Sequence, residues 1–86
     1  MKKLLNTLYI TSENKYLSLD GENVVIKEEG AELGRMPLHN LEMIVTFSRA
    51  GGSPALMGKC ADNNISIVFL TPSGSFLARV EGKTKG

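Results

Sequence analysis

The chain is short of the residues from which small proteins build reactive or stapled sites. It has one cysteine, Cys60, and one histidine, His39, among 86 residues. A lone cysteine excludes an intramolecular disulfide, and one Cys with one His falls short of a zinc ligand set. The missing disulfide framework fits a reducing compartment, so a cytoplasmic protein is expected. An excess of one charge is lacking too: ten basic and nine acidic side chains leave a net charge of +1. That balance argues against a strongly basic nucleic-acid module and gives little attraction to a membrane surface. Long apolar runs are absent. The one near the start stops after Leu4-Leu5, too short for a signal peptide, and no stretch approaches a membrane span. What remains is ordinary globular composition, 42% hydrophobic and 22% charged, which excludes wholesale disorder. Such a length makes one domain with a limited core, so support from a partner subunit or a further segment is expected.

Most segments are short, rich in β-branched or aromatic residues, and bounded by turn residues. Strands are predicted over residues 4–10, 16–19, 24–27, 32–36, 41–47, 65–70 and 75–80. Pro37 limits the fourth, because proline cannot donate to a ladder. The clearest alternation puts Leu41, Met43, Val45 and Phe47 on one face and Glu42, Ile44 and Thr46 on the other. Ser48-Arg49-Ala50-Gly51-Gly52 reads as a flexible loop. Ser53-Pro54 then supplies an N-cap and a first-turn proline, starting a helix that runs to about Asp62 and ends in left-handed Asn63 or Asn64. The expected architecture is mainly β, a small β-sandwich or split barrel of about seven strands with one short helix. Residues 1–80 form the β domain. Residues 81–86 lack an apolar anchor and read as the start of a linker.

Candidate chemistry is thin. Residues 53–60 invite comparison with the phosphate loop G-x-x-x-x-G-K-[ST], but Ser53 stands at the first glycine and Cys60 replaces the magnesium-binding hydroxyl. Pro54 also removes an N–H, so a capped core helix is the better reading. His39 has neither a second histidine nor a nucleophile at a recognisable spacing, and reads as a turn residue. Glu28, Glu29 and Glu32 surround a hairpin tip and read as solvated acids rather than metal ligands. Arg35, Arg49, Lys59 and Arg79 are scattered, and contact phosphates only if folding gathers them. Tyr9 and Tyr16 flank the first loop, where an aromatic either stacks on an unpaired base or closes the end of a sandwich. Cys60, Met36, Met43 and Met57 read as core filler.

The ordered segments nonetheless resemble a known family. They are Leu4-Leu5-Asn6-Thr7-Leu8-Tyr9-Ile10-Thr11, Tyr16-Leu17-Ser18-Leu19-Asp20-Gly21-Glu22-Asn23, and Glu32-Leu33-Gly34-Arg35-Met36-Pro37-Leu38-His39-Asn40-Leu41-Glu42. Ser53-Pro54-Ala55-Leu56-Met57-Gly58 and Phe69-Leu70-Thr71-Pro72-Ser73-Gly74-Ser75-Phe76-Leu77-Ala78-Arg79-Val80 complete the set. In order and spacing they resemble the N-terminal β domain of the CRISPR-associated spacer-acquisition endonuclease/integrase, in the variant of compact type I systems. The resemblance implies a two-domain enzyme of antiviral defence that inserts new spacers into the CRISPR array. Its metal site, for magnesium or manganese, lies in a helical domain and none of its positions falls in residues 1–86, so no catalytic, metal or cofactor residue is carried over. It also implies a homodimer, a small adaptation partner protein, and DNA as ligand, with no membrane. Loops of such a domain reach DNA, which makes Arg49, Lys59 and Tyr9 the candidate contacts. The alternative is a stand-alone β module binding oligonucleotides, against which the near-zero net charge counts. An independent small-molecule enzyme lacks any nucleophile–base pair to build on.

Overall fold

The computed structural model describes residues 2–4, by their backbone, and 6–82. Eight strands, one α-helix and a 3-10 turn (Leu38–Asn40) lie among the described residues. The strands are β1 (Lys2–Leu4), β2 (Thr7–Ile10), β3 (Tyr16–Asp20), β4 (Asn23–Glu28), β5 (Ala31–Pro37), β6 (Met43–Thr46), β7 (Ser66–Leu70) and β8 (Phe76–Val80). Helix α1 (Pro54–Asp62) falls between β6 and β7.

The three-stranded sheet is an antiparallel meander, β3-β4-β5. Its two turns are set by local chemistry. Gly21 has φ 61° at the first position of the β3–β4 turn, while Glu29 (φ 51°) and Gly30 (φ 83°) together make the β4–β5 turn. Positive φ in two-residue loops matches the twist of the flanking strands. A bulge follows Ile26: this residue pairs with Gly34 and Lys27 pairs with Glu32, which leaves Leu33 extra and exposed.

The second sheet runs β1-β2-β6-β7-β8. Its three central strands are parallel, and each outer strand is antiparallel to its neighbour. Parallel neighbours cannot be joined by a hairpin, so each pair needs a crossover. Between β2 and β6 the crossover is the whole three-stranded meander; between β6 and β7 it is α1. The predicted first strand, 4–10, is in fact the adjoining parts of two strands: β1 and β2 pair antiparallel, with Leu4 opposite Thr7. That raises the strand number above the expected seven and leaves the class unchanged.

Both crossovers pack on one face of the five-stranded sheet. Leu8, Ile10, Ile44, Ile67 and Phe69 meet Leu17, Val24 and Ile26 of the meander and Leu56 and Cys60 of α1 in one core cluster. In β6 it is therefore Ile44 and Thr46 that point inward, while Met43 and Val45 are half-buried on the outer face, as is Phe47 just past the strand. Thr46 is tolerated inside because its hydroxyl accepts from the Ser48 N–H at 3.2 Å. Met36 and Met57 pack against the core as expected, whereas Met43 lies on the opposite face.

Helix α1 begins and ends as its sequence dictates. Ser53 Oγ accepts from the Leu56 N–H at 3.1 Å, Pro54 opens the first turn, and Asn64 takes φ 59° just beyond the end. Gly82, past β8, passes so close to Asn64 that any Cβ there would collide with it. The face assignment in β6 has a direct test. Ile44→Ala removes a fully buried side chain and is expected to cost about 2–5 kcal/mol in urea unfolding, while Val45→Ala on the outer face costs less. Equal losses would contradict it.

Candidate nucleic-acid interface

Because β2, β6 and β7 are parallel, the loops that follow them emerge at the same end of the sheet. These are residues 11–15, 47–53 and 71–75. The first two are stitched together by backbone. Phe47 N–H donates to Ile10 O at 2.9 Å, and both Arg49 N–H (3.1 Å) and Ser48 Oγ–H (2.7 Å) donate to Glu13 O. Ser48 Oγ in turn accepts from the Ala50 N–H at 3.1 Å. Leu17 N–H donates to Gly51 O (3.1 Å) and Ser53 N–H to Leu17 O (2.8 Å), so the segment continues as an extra edge beside β3. Residues 48–52, expected to be a flexible loop, are thus tied down along their length. The buried Ser48 is the residue that the sequence reading missed. Its signal is a hydroxyl immediately before a turn followed by glycine, the pattern of a side chain that accepts from the N–H two residues on.

Of the three candidate contacts, two share this end. Arg49 is exposed in the loop after β6, and Tyr9 is the penultimate residue of β2, half-buried on the outer sheet face because Leu8 and Ile10 point inward. Lys59 is elsewhere: it sits on α1, which packs on the inner face, and its Nζ binds Glu22 Oε2 at 2.8 Å in the β3–β4 turn.

Ion pairing separates the scattered cations further. Arg35 grips Glu32 with two hydrogen bonds of 2.7 and 2.8 Å and reaches Asp20 at 3.1 Å. Its hydrogen bonds hold the Glu32 carboxyl below the usual carboxylate range and push the guanidinium higher. Arg79 pairs with Glu81, and Lys15 with Glu28 at 2.7 Å. A carboxylate beside a cation cancels most of its field at a phosphate a few ångströms away. Among Arg35, Arg49, Lys59 and Arg79, only Arg49 has no ion pair among the described residues.

The remaining candidates carry no reactive arrangement. Gly58 and Lys59 lie inside α1, so residues 53–60 are a helix and not a phosphate loop. His39 is exposed in the 3-10 turn. Glu28 and Glu32 are committed to Lys15 and Arg35, Glu29 sits at the turn, and no group of three metal-ligating side chains occurs among the described residues. Cys60 is fully buried, and desolvation pushes its thiol up to about 11.

A mixed two-sheet domain with one crossover helix defines a small β module. The family model for CRISPR associated protein Cas1 matches residues 8–86, and the chain belongs to that family. It is 50% identical over all 86 residues to the CRISPR-associated endonuclease Cas1 2 of Rhodospirillum rubrum. The match takes in the whole chain and 25% of that relative, so the chain spans a quarter of its length. The fold is shared with a partial Cas6-RT-Cas1–Cas2 complex, at TM-score 0.77 and 13% identity over 88% of this chain and 23% of that one. It is shared also with the Cas1 of a TtCas1–DNA complex, at TM-score 0.72 and 16% identity over 100% of this chain and 33% of that one.

The buried thiol gives a pH signature. Above pH 9 the unfolded thiol ionises while the folded one holds its proton to about 11, so the unfolded state binds fewer protons. Stability is therefore expected to fall as pH rises from about 9 to 11, by at most about 1.4 kcal/mol per pH unit. Chemical unfolding of the parent and of Cys60→Ala across that window checks it: the variant should lose this slope.

Proposed function

We propose that this chain is the non-catalytic N-terminal β domain of a CRISPR adaptation integrase, a metal-dependent DNA endonuclease that inserts spacers into the array. In this reading residues 1–80 are the domain, and 81–86 begin the connection to a helical catalytic domain. The observation that carries it is the 50% identity along the whole chain to one quarter of a Cas1 endonuclease. The chemistry of the described residues supports the division of labour. Magnesium or manganese needs several convergent oxygen ligands, whereas the carboxylates here are dispersed and largely paired with Lys or Arg. They do not fit such an ion, so the metal chemistry is assigned to the rest of the longer protein.

The domain's task is then mechanical. It joins two subunits and holds the helical domains apart at a spacing suited to DNA, with a small Cas2-type protein bridging the dimers. Similarity to Cas1 in a Cas1–Cas2 assembly and in a Cas1–DNA complex supports these partners. A cytoplasmic site of action follows from the same reading, and no described helix is long and apolar enough to cross a membrane. Arg49 is the DNA contact, since its backbone is anchored and its charge uncancelled; Tyr9 lies at the same end, and Lys59 is the weaker candidate.

Incubated with duplex DNA and magnesium or manganese, the chain is expected to leave the DNA intact; metal-dependent cleavage by it would overturn the reading. Binding to a short duplex at low salt tests the contact. Arg49→Ala should weaken binding and flatten the log K against log salt slope by about 0.9, the share of one phosphate. Lys59→Ala should change it less, and the reverse ranking would remove Arg49 from the interface.

A further inference from the structure

We infer that Ser48 is the positioning residue for Arg49: its hydroxyl fixes the two-residue tip that carries the guanidinium before DNA arrives. This rests on the DNA-contact reading above and adds the group that governs the strength of that contact.

Arg49 and Ala50 are exposed and form the turn of the segment after β6. Each side of this tip is fastened to a different element. On the leading side Arg49 N–H and Ser48 Oγ–H both donate to Glu13 O, which occupies the two lone pairs of that carbonyl. On the trailing side Gly51 O accepts from Leu17 N–H, and Ser53 N–H donates to Leu17 O. Gly51 turns toward that edge with φ 75°, a conformation in which a side chain would be strained. Across the tip itself runs the bond from Ala50 N–H to Ser48 Oγ, at 3.1 Å. One hydroxyl therefore closes the tip on itself and ties it to residues 11–15.

The residue is 2% exposed, yet it adds almost no apolar surface to the core, so what it contributes is this pair of bonds. Alanine would fill nearly the same space and leave Ala50 N–H without its acceptor. Because Ala50 faces solvent, water can take that place, and the fold loses little. What the tip loses is order. A loop that must be ordered on binding subtracts that ordering from the affinity, and a tip already fixed avoids the loss. Ser48 changes neither the charge nor the length of the Arg49 side chain. It governs how tightly the phosphate contact is made and leaves the number of neutralised phosphates unaltered.

Binding to the short duplex over a salt series separates positioning from general support of the fold, using the parent, Ser48→Ala, Arg49→Ala and the double variant. Ser48→Ala should weaken binding roughly two- to tenfold, the worth of one hydrogen bond, and keep the parent's slope of log K against log salt. In the Arg49→Ala background the same change should have no further effect, since the group it positions is gone. An equal loss in both backgrounds overturns the positioning role, and so does parent-like binding by Ser48→Ala. Parent-like binding by Arg49→Ala instead removes the DNA contact itself. Hydrogen exchange on the unaltered chain provides a measurement that does not depend on any variant folding. The Ala50 amide should exchange more slowly than in an unstructured peptide although its residue is exposed, and exchange at the peptide rate overturns the closed tip.

Discussion

The parallel pairing of β2, β6 and β7 is the constraint on which the rest of this small domain depends. Parallel neighbours need long returns, and 86 residues leave space for few of them. The chain uses the whole three-stranded meander as one return and α1 as the other. Both fall on the same face, so the returns themselves supply the opposing wall of the core. The same geometry gathers three loops at one end of the sheet. Arg49 owes its position to that arrangement and to the Glu13 carbonyl that fixes its backbone.

How much of this could be read beforehand divides along physical lines. Helix α1 was legible because its determinants are local: Ser53 and Pro54 fix its start, and of the two asparagines that could end it Asn64 takes the left-handed turn. The hairpin turns were legible for the same reason. Strand direction was not, since alternation in residues 41–47 is equally compatible with a parallel or an antiparallel neighbour. The inner face of β6 was also hidden. A central strand carries apolar residues on both sides, and Thr46 looks solvent-facing until Ser48 satisfies its hydroxyl. The break between β1 and β2 left no proline or glycine to mark it.

At the candidate interface, sequence gave residue types and withheld their neighbours. Arg35, Lys59 and Arg79 are as basic as Arg49 on paper, and only folding brings Glu32, Glu22 and Glu81 to them. Such surface pairs contribute little to stability. Their larger effect is on the outside field, which they flatten over most of the domain. A near-neutral module can then keep Arg49 as a local positive point without a general affinity for polyanions. Membership of the Cas1 family was legible only as the order of whole segments, since no short motif in this region carries chemistry.

The crossover between β2 and β6 has a kinetic consequence as well. Thr7 must find Met43, and Met43 must find Ser66, before the central ladder exists. Contacts between residues so distant in sequence slow folding, because loop-closure entropy is lost before the pairing rewards it. The meander, whose pairs are local, can close early on its own turns. On a ribosome it would emerge complete while Thr7–Ile10, paired with β1 along one edge, still lacked β6 along the other. The order of elements therefore makes β2 the last of the early strands to complete its ladder.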